Sequence, residues 1–162
     1  MRLTSKGRFA VTALVDLAVH SRDTSGKPVS LTRISERQNI SLPFLEQIFL
    51  LLKRKNIVKS VRGPLGGYLF VKNPKSVMVS DVIQAIDEEL KITRCNGSSY
   101  GCISKKQNSK CLTHNLWNKL TRHILFFLSS ISIDDVMTNK IDLAIIKNTY
   151  ENYNKFNNHV SN

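Results

Sequence analysis

Apolar residues recur along this chain in two rhythms, and together they mark out most of its elements. Between residues 5 and 21, Ala10, Ala13, Leu14, Leu17 and Ala18 fall at i, i+3, i+4, i+7 and i+8, the stripe of a first amphipathic helix. A turn over Asp23–Pro28 follows. Ser30 then stands as N-cap of a helix over Leu31–Gln38, with Val29 and Ile34 placed for a hydrophobic staple. Asn39 occupies the left-handed stop, because Asn tolerates that conformation best after Gly. Ile40 closes the turn, and Ser41–Pro43 opens a further helix whose stripe is Leu45, Ile48, Phe49 and Leu52. Its outward half carries Pro43, Glu46, Gln47, Leu50 and Arg54, and Asn56 is a second left-handed stop. The rhythm then shortens. Ile57–Arg62 and Tyr68–Val71 read as two strands around the turn Gly63–Gly67. Beyond them Ser80 is placed to cap a helix from Asp81 to Leu90, with Val82, Ile83, Ile86 and Leu90 inward. From Leu112 to Ile131 the helical period returns, with Leu116, Trp117, Leu120, Ile124, Phe127, Leu128 and Ile131 on one wide face. So wide a face, with little chain left to cover it, suggests packing against a second subunit, which packing on its own domain does not exclude. Ser132 caps a short helix over Ile133–Met137, and the Asn-rich end from Lys147 to Asn162 is expected to fray.

The expected fold is therefore mainly α with a small β-hairpin wing: a winged helix-turn-helix domain followed by a long dimerisation helix. The expected divisions are a DNA-binding domain over residues 1–90, a loop over 91–115, a long and a short helix over 116–140, and a tail over 141–162. A helix pair alone is common in α proteins. The hairpin directly after it is what makes the wing reading specific.

Charge sharpens this picture. The formal net charge is +12, and residues 1–75 hold 14 Lys/Arg against 4 Asp/Glu, whereas residues 76–162 hold 10 against 8. A basic N-terminal half fits a polyanionic partner, and double-stranded DNA suits the wing. Lys53, Arg54, Lys55, Lys59 and Arg62 crowd the stretch from helix end to wing tip, with Gly63 beside them. Arg2, Lys6 and Arg8 crowd the start of the first helix, where the helix dipole disfavours cations, unless an anion such as a phosphate lies nearby. The wing glycines match neither a dinucleotide fingerprint nor a P-loop. With no paired carboxylates or nucleophile–base pair either, an enzyme is not expected. The longest apolar runs, Ile48–Leu52 and Ile124–Leu128, fall far short of the ~20 residues that cross a bilayer, and the first residues do not read as a signal peptide. The expected location is the cytoplasm, away from membranes.

One stretch carries different chemistry. Residues 94–117 contain all three cysteines, Cys95, Cys102 and Cys111, with His114 three residues after the last. They lie among Gly, Ser and Asn, which cannot form a packed core, so a metal or cluster site explains them better than burial does. If a helix begins there, Cys111 and His114 share one face of its first turn. In a reducing compartment such thiols are ligands or reactive groups, not disulfides. The spacing C-x6-C-x8-C-x2-H admits zinc, although structural zinc sites usually use tighter pairs. It equally admits a [2Fe–2S] cluster, whose −1 charge with three thiolates and a neutral imidazole Arg94, Lys105, Lys106 and Lys110 would offset. A thiol redox sensor without metal is a third reading.

Four stretches resemble the IscR family of iron–sulfur-cluster-sensing winged-helix regulators: MRLTSKGRFAVTAL at Met1–Leu14, ISERQNISLPFLEQIF at Ile34–Phe49, SVRGPLGGYL at Ser60–Leu69, and TRC…C…CLTHNLW from Thr93 to Trp117. The resemblance implies a homodimer with one [2Fe–2S] cluster per subunit, ligated by Cys95, Cys102, Cys111 and His114 and delivered by the iron–sulfur assembly machinery. It implies repression of cluster-assembly genes, with cluster occupancy changing which DNA sites are bound. It also implies base readers at Pro43, Phe44, Glu46 and Gln47, beside Ser41, with Arg62 entering the minor groove. A zinc-structured DNA-binding repressor and a [2Fe–2S] electron carrier are the alternatives, and the basic wing argues against the second. The chain departs from the family pattern in three places. The cysteine spacings are longer, with extra residues around Lys105–Asn108; Leu50 and Leu51 stand where polar or basic residues are usual; and Leu65 replaces a wing Gly.

Overall fold

The structure is a computed structural model that describes residues 5–23, 26–86 and 113–141, with only the backbone of His114. Helix α1 runs Ser5–Asp23, α2 Leu31–Gln38 and α3 Leu42–Arg54; strands β1 (Val58–Val61) and β2 (Gly67–Phe70) follow, then a 3-10 turn at Pro74–Ser76, α4 (Val79–Ala85), α5 (His114–Ser129) and α6 (Ile133–Met137).

The apolar stripes do what their spacing requires. Ala10, Ala13, Leu14 and Leu17 of α1, Ile34 of α2, and Leu45, Ile48, Phe49 and Leu52 of α3 are completely buried in one core. Each such Leu or Ile contributes roughly 1.5–3 kcal/mol on burial, so these three helices hold one another at fixed angles. Phe49 meets Tyr68 of the hairpin edge-on at 4.9 Å, which carries the core from α3 into the wing.

The local stops are where the pattern put them. Ser30 Oγ accepts a hydrogen bond from the Arg33 amide at 3.3 Å. Asn39 and Asn56 have φ values of 51° and 55°. The hairpin is antiparallel, with Val58 opposite Phe70, Lys59 opposite Leu69 and Ser60 opposite Tyr68. It is shorter than the sequence suggests, although the Val71 amide still donates to the Ile57 carbonyl at 3.0 Å beyond its end. A feature absent from the sequence reading is a third strand-like segment. Val29 and Tyr68 exchange both backbone hydrogen bonds, at 3.1 and 2.8 Å, so the residue before α2 edges the wing.

The start of α4 corrects the expectation. Ser80 is not its cap but lies buried inside the first turn, and the helix begins at Val79. The Asp81 carboxylate accepts from the Met78 amide at 3.1 Å instead. The cause is tertiary. The Val79 amide donates to the Ile131 carbonyl and the Ile133 amide to the Val77 carbonyl, both at 2.9 Å, which draws this segment against the chain after α5. The expected helix over 87–90 lies outside the described residues.

Ser132 does cap α6: its Oγ accepts from the Asp135 amide at 3.1 Å and donates to the Asp135 carboxylate at 2.6 Å. That hydroxyl, together with the Ser132 amide donating to the same carboxylate at 2.9 Å, holds the Asp135 carboxyl below the usual carboxylate range. Ile133 is fully buried in the α1–α3 core. A smaller cluster joins Val79 and Ile83 of α4 to Ile131, with Val11, Leu128 and Val136 packed around it.

Candidate nucleic-acid interface

The interface is built on the α2–α3 turn. Asn39 reverses the chain in the left-handed conformation, and its amide donates to the Ser35 carbonyl. Ser35 Oγ donates to the Ile40 carbonyl at 2.6 Å, closing the turn from the other side. This pins the direction in which α3 leaves. Because Leu45, Ile48, Phe49 and Leu52 face the core, Ser41, Pro43, Glu46, Gln47, Leu50 and Arg54 are left on the exposed half of α3. Ser41 sits at the N-cap, but its hydroxyl makes no capping hydrogen bond. Phe44 is half-buried, with its ring perpendicular to that of Phe9 on α1 at 5.9 Å, so it also anchors α3 to α1.

The wing extends this surface. Lys53, Arg54, Lys55, Lys59 and Arg62 are all exposed. Lys53 Nζ donates to Ser60 Oγ at 2.8 Å and so links the end of α3 to β1. At the tip, Gly63 has φ of 117°, and the Gly66 amide donates to the Gly63 carbonyl at 2.9 Å. A β-carbon on Gly66 would strike the Val61 carbonyl, and one on Gly67 would strike the Val29 carbonyl. The tip is therefore tight in backbone, with Arg62 beside it and Leu65 standing 88% exposed. A helix with polar outward residues and a basic hairpin at its C-terminal end can enter a major groove while the wing follows the adjacent phosphates.

Two other sequence candidates fare differently. Lys6 Nζ donates to the Ile86 carbonyl at 2.8 Å, so one of its N–H groups satisfies the end of α4. Arg2 lies outside the described residues. The same is true of Cys95, Cys102, Cys111 and the His114 side chain. His114 itself opens α5. Among the described residues no three His, Cys, Asp or Glu side chains group to hold a metal ion.

Sequence reasoning missed the polar clamp behind the interface. Asp16 on α1 is buried and accepts from Arg37 Nε at 3.0 Å, Arg37 Nη2 at 2.5 Å and Gln38 Nε2 at 2.8 Å. Burial pushes the Asp16 carboxyl up. The Arg37 and Gln38 hydrogen bonds outweigh it and hold the group below its ordinary value. The clamp ties α1 to the last turn of α2, just before the turn that aims α3. Its signal in the sequence was a carboxylate set between Ala13 and Leu17, where a buried charge needs a partner.

This arrangement has clear counterparts. The profile of Rrf2, described as an iron-dependent transcriptional regulator, matches residues 3–139. The chain belongs to the Rrf2 family. It is 50% identical over 146 residues to the HTH-type transcriptional regulator IscR of Photorhabdus laumondii, covering 89% of this chain and 85% of that one. It is 49% identical over 140 residues to IscR of Pectobacterium atrosepticum, covering 86% and 81%. Among solved structures, T. potens IscR aligns with a TM-score of 0.68 at 32% identity, covering 86% of this chain and 88% of that one. CymR, the global cysteine regulator of B. subtilis, has the same fold, with a TM-score of 0.69 at 23% identity over 86% of this chain and 98% of that one. This Rrf2 chain is thus a transcription regulator of the IscR type, with a mainly helical winged-helix fold, and its relatives are regulators, not enzymes. No described helix is long and apolar enough to cross a membrane.

Proposed function

We propose that this regulator binds DNA as a homodimer in the cytoplasm and reports iron–sulfur cluster status through a [2Fe–2S] cluster held by Cys95, Cys102, Cys111 and His114, one per subunit, repressing cluster-assembly genes. The observation that carries the reading is that His114 heads α5, combined with three thiols in the polar sequence that precedes it. Three thiols and an imidazole are a fitting donor set for such a cluster. If these four residues held such a cluster, its iron would tie the cysteine stretch to the start of α5 and make that tie dependent on iron supply and redox state.

The chain's own residues carry the consequence. Holding His114 fixes where α5 starts. Leu128 near the end of α5 packs against the cluster that Ile131, just beyond that end, forms with Val79 and Ile83, and Val11 of α1 packs against the same cluster. Leu116, Trp117, Leu120 and Phe127 of α5 remain 37–59% exposed, an apolar face suited to a second copy. Two such copies set two α3 helices about one DNA turn apart, roughly 34–36 Å. Loss of the cluster would remove the restraint on His114, change how α5 seats and with it that separation. Arg62 serves the minor groove; Ser41, Arg54, Lys59 and Gly63 serve the backbone, as do Arg2 and Lys6. Pro43, Phe44, Glu46 and Gln47 meet base edges. The assembly machinery that makes clusters is the donor.

Anaerobic purification with iron, sulfide and zinc analysis tests the cofactor. About two iron and two sulfide per chain are expected, and zinc in their place refutes the reading. Each of Cys95→Ala, Cys102→Ala and Cys111→Ala should abolish the cluster's visible absorption. DNA binding tests the rest: affinity should fall roughly a thousandfold between 50 and 200 mM salt if six or more phosphates are neutralised.

A further inference from the structure

Leu50 is half exposed, at 50%, on the outward face of α3. It stands three residues after Gln47 and four after Glu46, on the same helix surface one turn further along. Its neighbour Leu51 is explained by packing, since it lies half-buried against the main core. Leu50 has no place in either core cluster. A large apolar side chain flanked along the helix by Glu46, Gln47, Lys53 and Arg54 therefore leaves half of its surface uncovered by its own chain. On a helix that lies in a major groove, one base feature rewards such a side chain: the 5-methyl group of thymine, the only apolar group exposed on a base edge there.

We infer that Leu50 reads a thymine methyl in each half-site and is a specificity-determining residue of α3. This rests on the DNA-reading role proposed for α3. The contact follows the polar readers: Glu46 and Gln47 address the groove floor with hydrogen bonds, and Leu50 adds an apolar contact one turn away. Burial of a methyl against Leu50 is worth about a three- to fivefold change in affinity, with no change in the number of phosphates contacted.

The test uses the full chain, prepared anaerobically, and a duplex enriched from a random-sequence pool by that protein. Each thymine is replaced in turn by deoxyuridine, which lacks only the methyl, and affinity is followed by fluorescence anisotropy at fixed salt. At one thymine per half-site the replacement should weaken binding three- to fivefold. In Leu50→Ala, whose side chain is outside the core and whose fold is checked by circular dichroism, the same replacement should have no effect. The salt dependence of the two proteins should coincide. If no thymine is sensitive, or if Leu50→Ala is as sensitive as the native chain, Leu50 is not the reader and the inference falls while the DNA-binding role stands. If the pool yields no enriched sequence and binding shows no salt dependence, the DNA-reading role of α3 falls and this inference with it.

Discussion

Asp16 shows how much a single buried side chain governs a surface it does not touch. Its carboxylate lies inside the domain and is tolerated there because Arg37 grips it with two nitrogens and Gln38 adds a third hydrogen bond. Replacing Arg37 by Ala leaves the charge buried with Gln38 and His20 for company, and should destabilise the domain by about 3 kcal/mol in urea unfolding. Asp16→Asn keeps the shape and leaves Arg37 able to reach water, so a smaller loss of about 1–2 kcal/mol is expected. The pH dependence has a definite sign. A carboxyl depressed in the folded state stabilises fully at neutral pH and loses that contribution as pH falls from the ordinary value of 3.8 through its lower folded value. The native chain should therefore show a steeper acid unfolding limb than Asp16→Asn, and identical limbs would remove Asp16 from the account. Glu46 belongs to the same scale. It is exposed on α3, where phosphate repels it unless a cytosine amino group donates to it. Glu46→Ala should broaden the set of duplexes bound, read by sequencing the enriched pool, and an unchanged set would show that Glu46 does not discriminate.

The wing is an element whose form depends on missing side chains. Gly67 begins β2 directly beneath the Val29 carbonyl, and this close approach lets Val29 and Tyr68 exchange their two backbone hydrogen bonds. Gly67→Ala must push Val29 away, breaking that bridge and shifting the hairpin relative to α2. We expect a loss of about 1–3 kcal/mol and a larger loss of DNA affinity than of secondary structure, measured by anisotropy and circular dichroism on the same sample. Retained affinity would mean that the wing contributes little to binding. The stops at Asn39 and Asn56 work in the opposite way. They were legible because a left-handed residue after a helix needs Gly or Asn regardless of what packs on it. The Val29–Tyr68 bridge was not legible, because one isolated bridge leaves no period in the sequence.

At the scale of the molecule, the question is what covers α5. Its first half presents Leu116, Trp117 and Leu120, and Phe127 follows on the same side, whereas Ile131 beyond its end is buried. Leu120→Glu together with Phe127→Glu should convert a dimer to a monomer in sedimentation equilibrium and weaken binding to a two-half-site duplex far more than to a single half-site. A native chain that sediments as a monomer would instead leave the face to another partner. Much of this protein follows from its sequence alone: the three-helix stripe, the hairpin, the caps at Ser30 and Ser132 and the outward face of α3. These depend on spacing and on the conformational limits of single residues, which neighbours in the chain already specify. The tertiary structure alone decided that Asp16 pairs with Arg37, that Lys6 closes α4, that α4 starts at Val79 and that Ile133 completes a core begun at Ala10. Those pairings join groups far apart in the chain, and contact at such separation is set by how the helices pack, which no local pattern records.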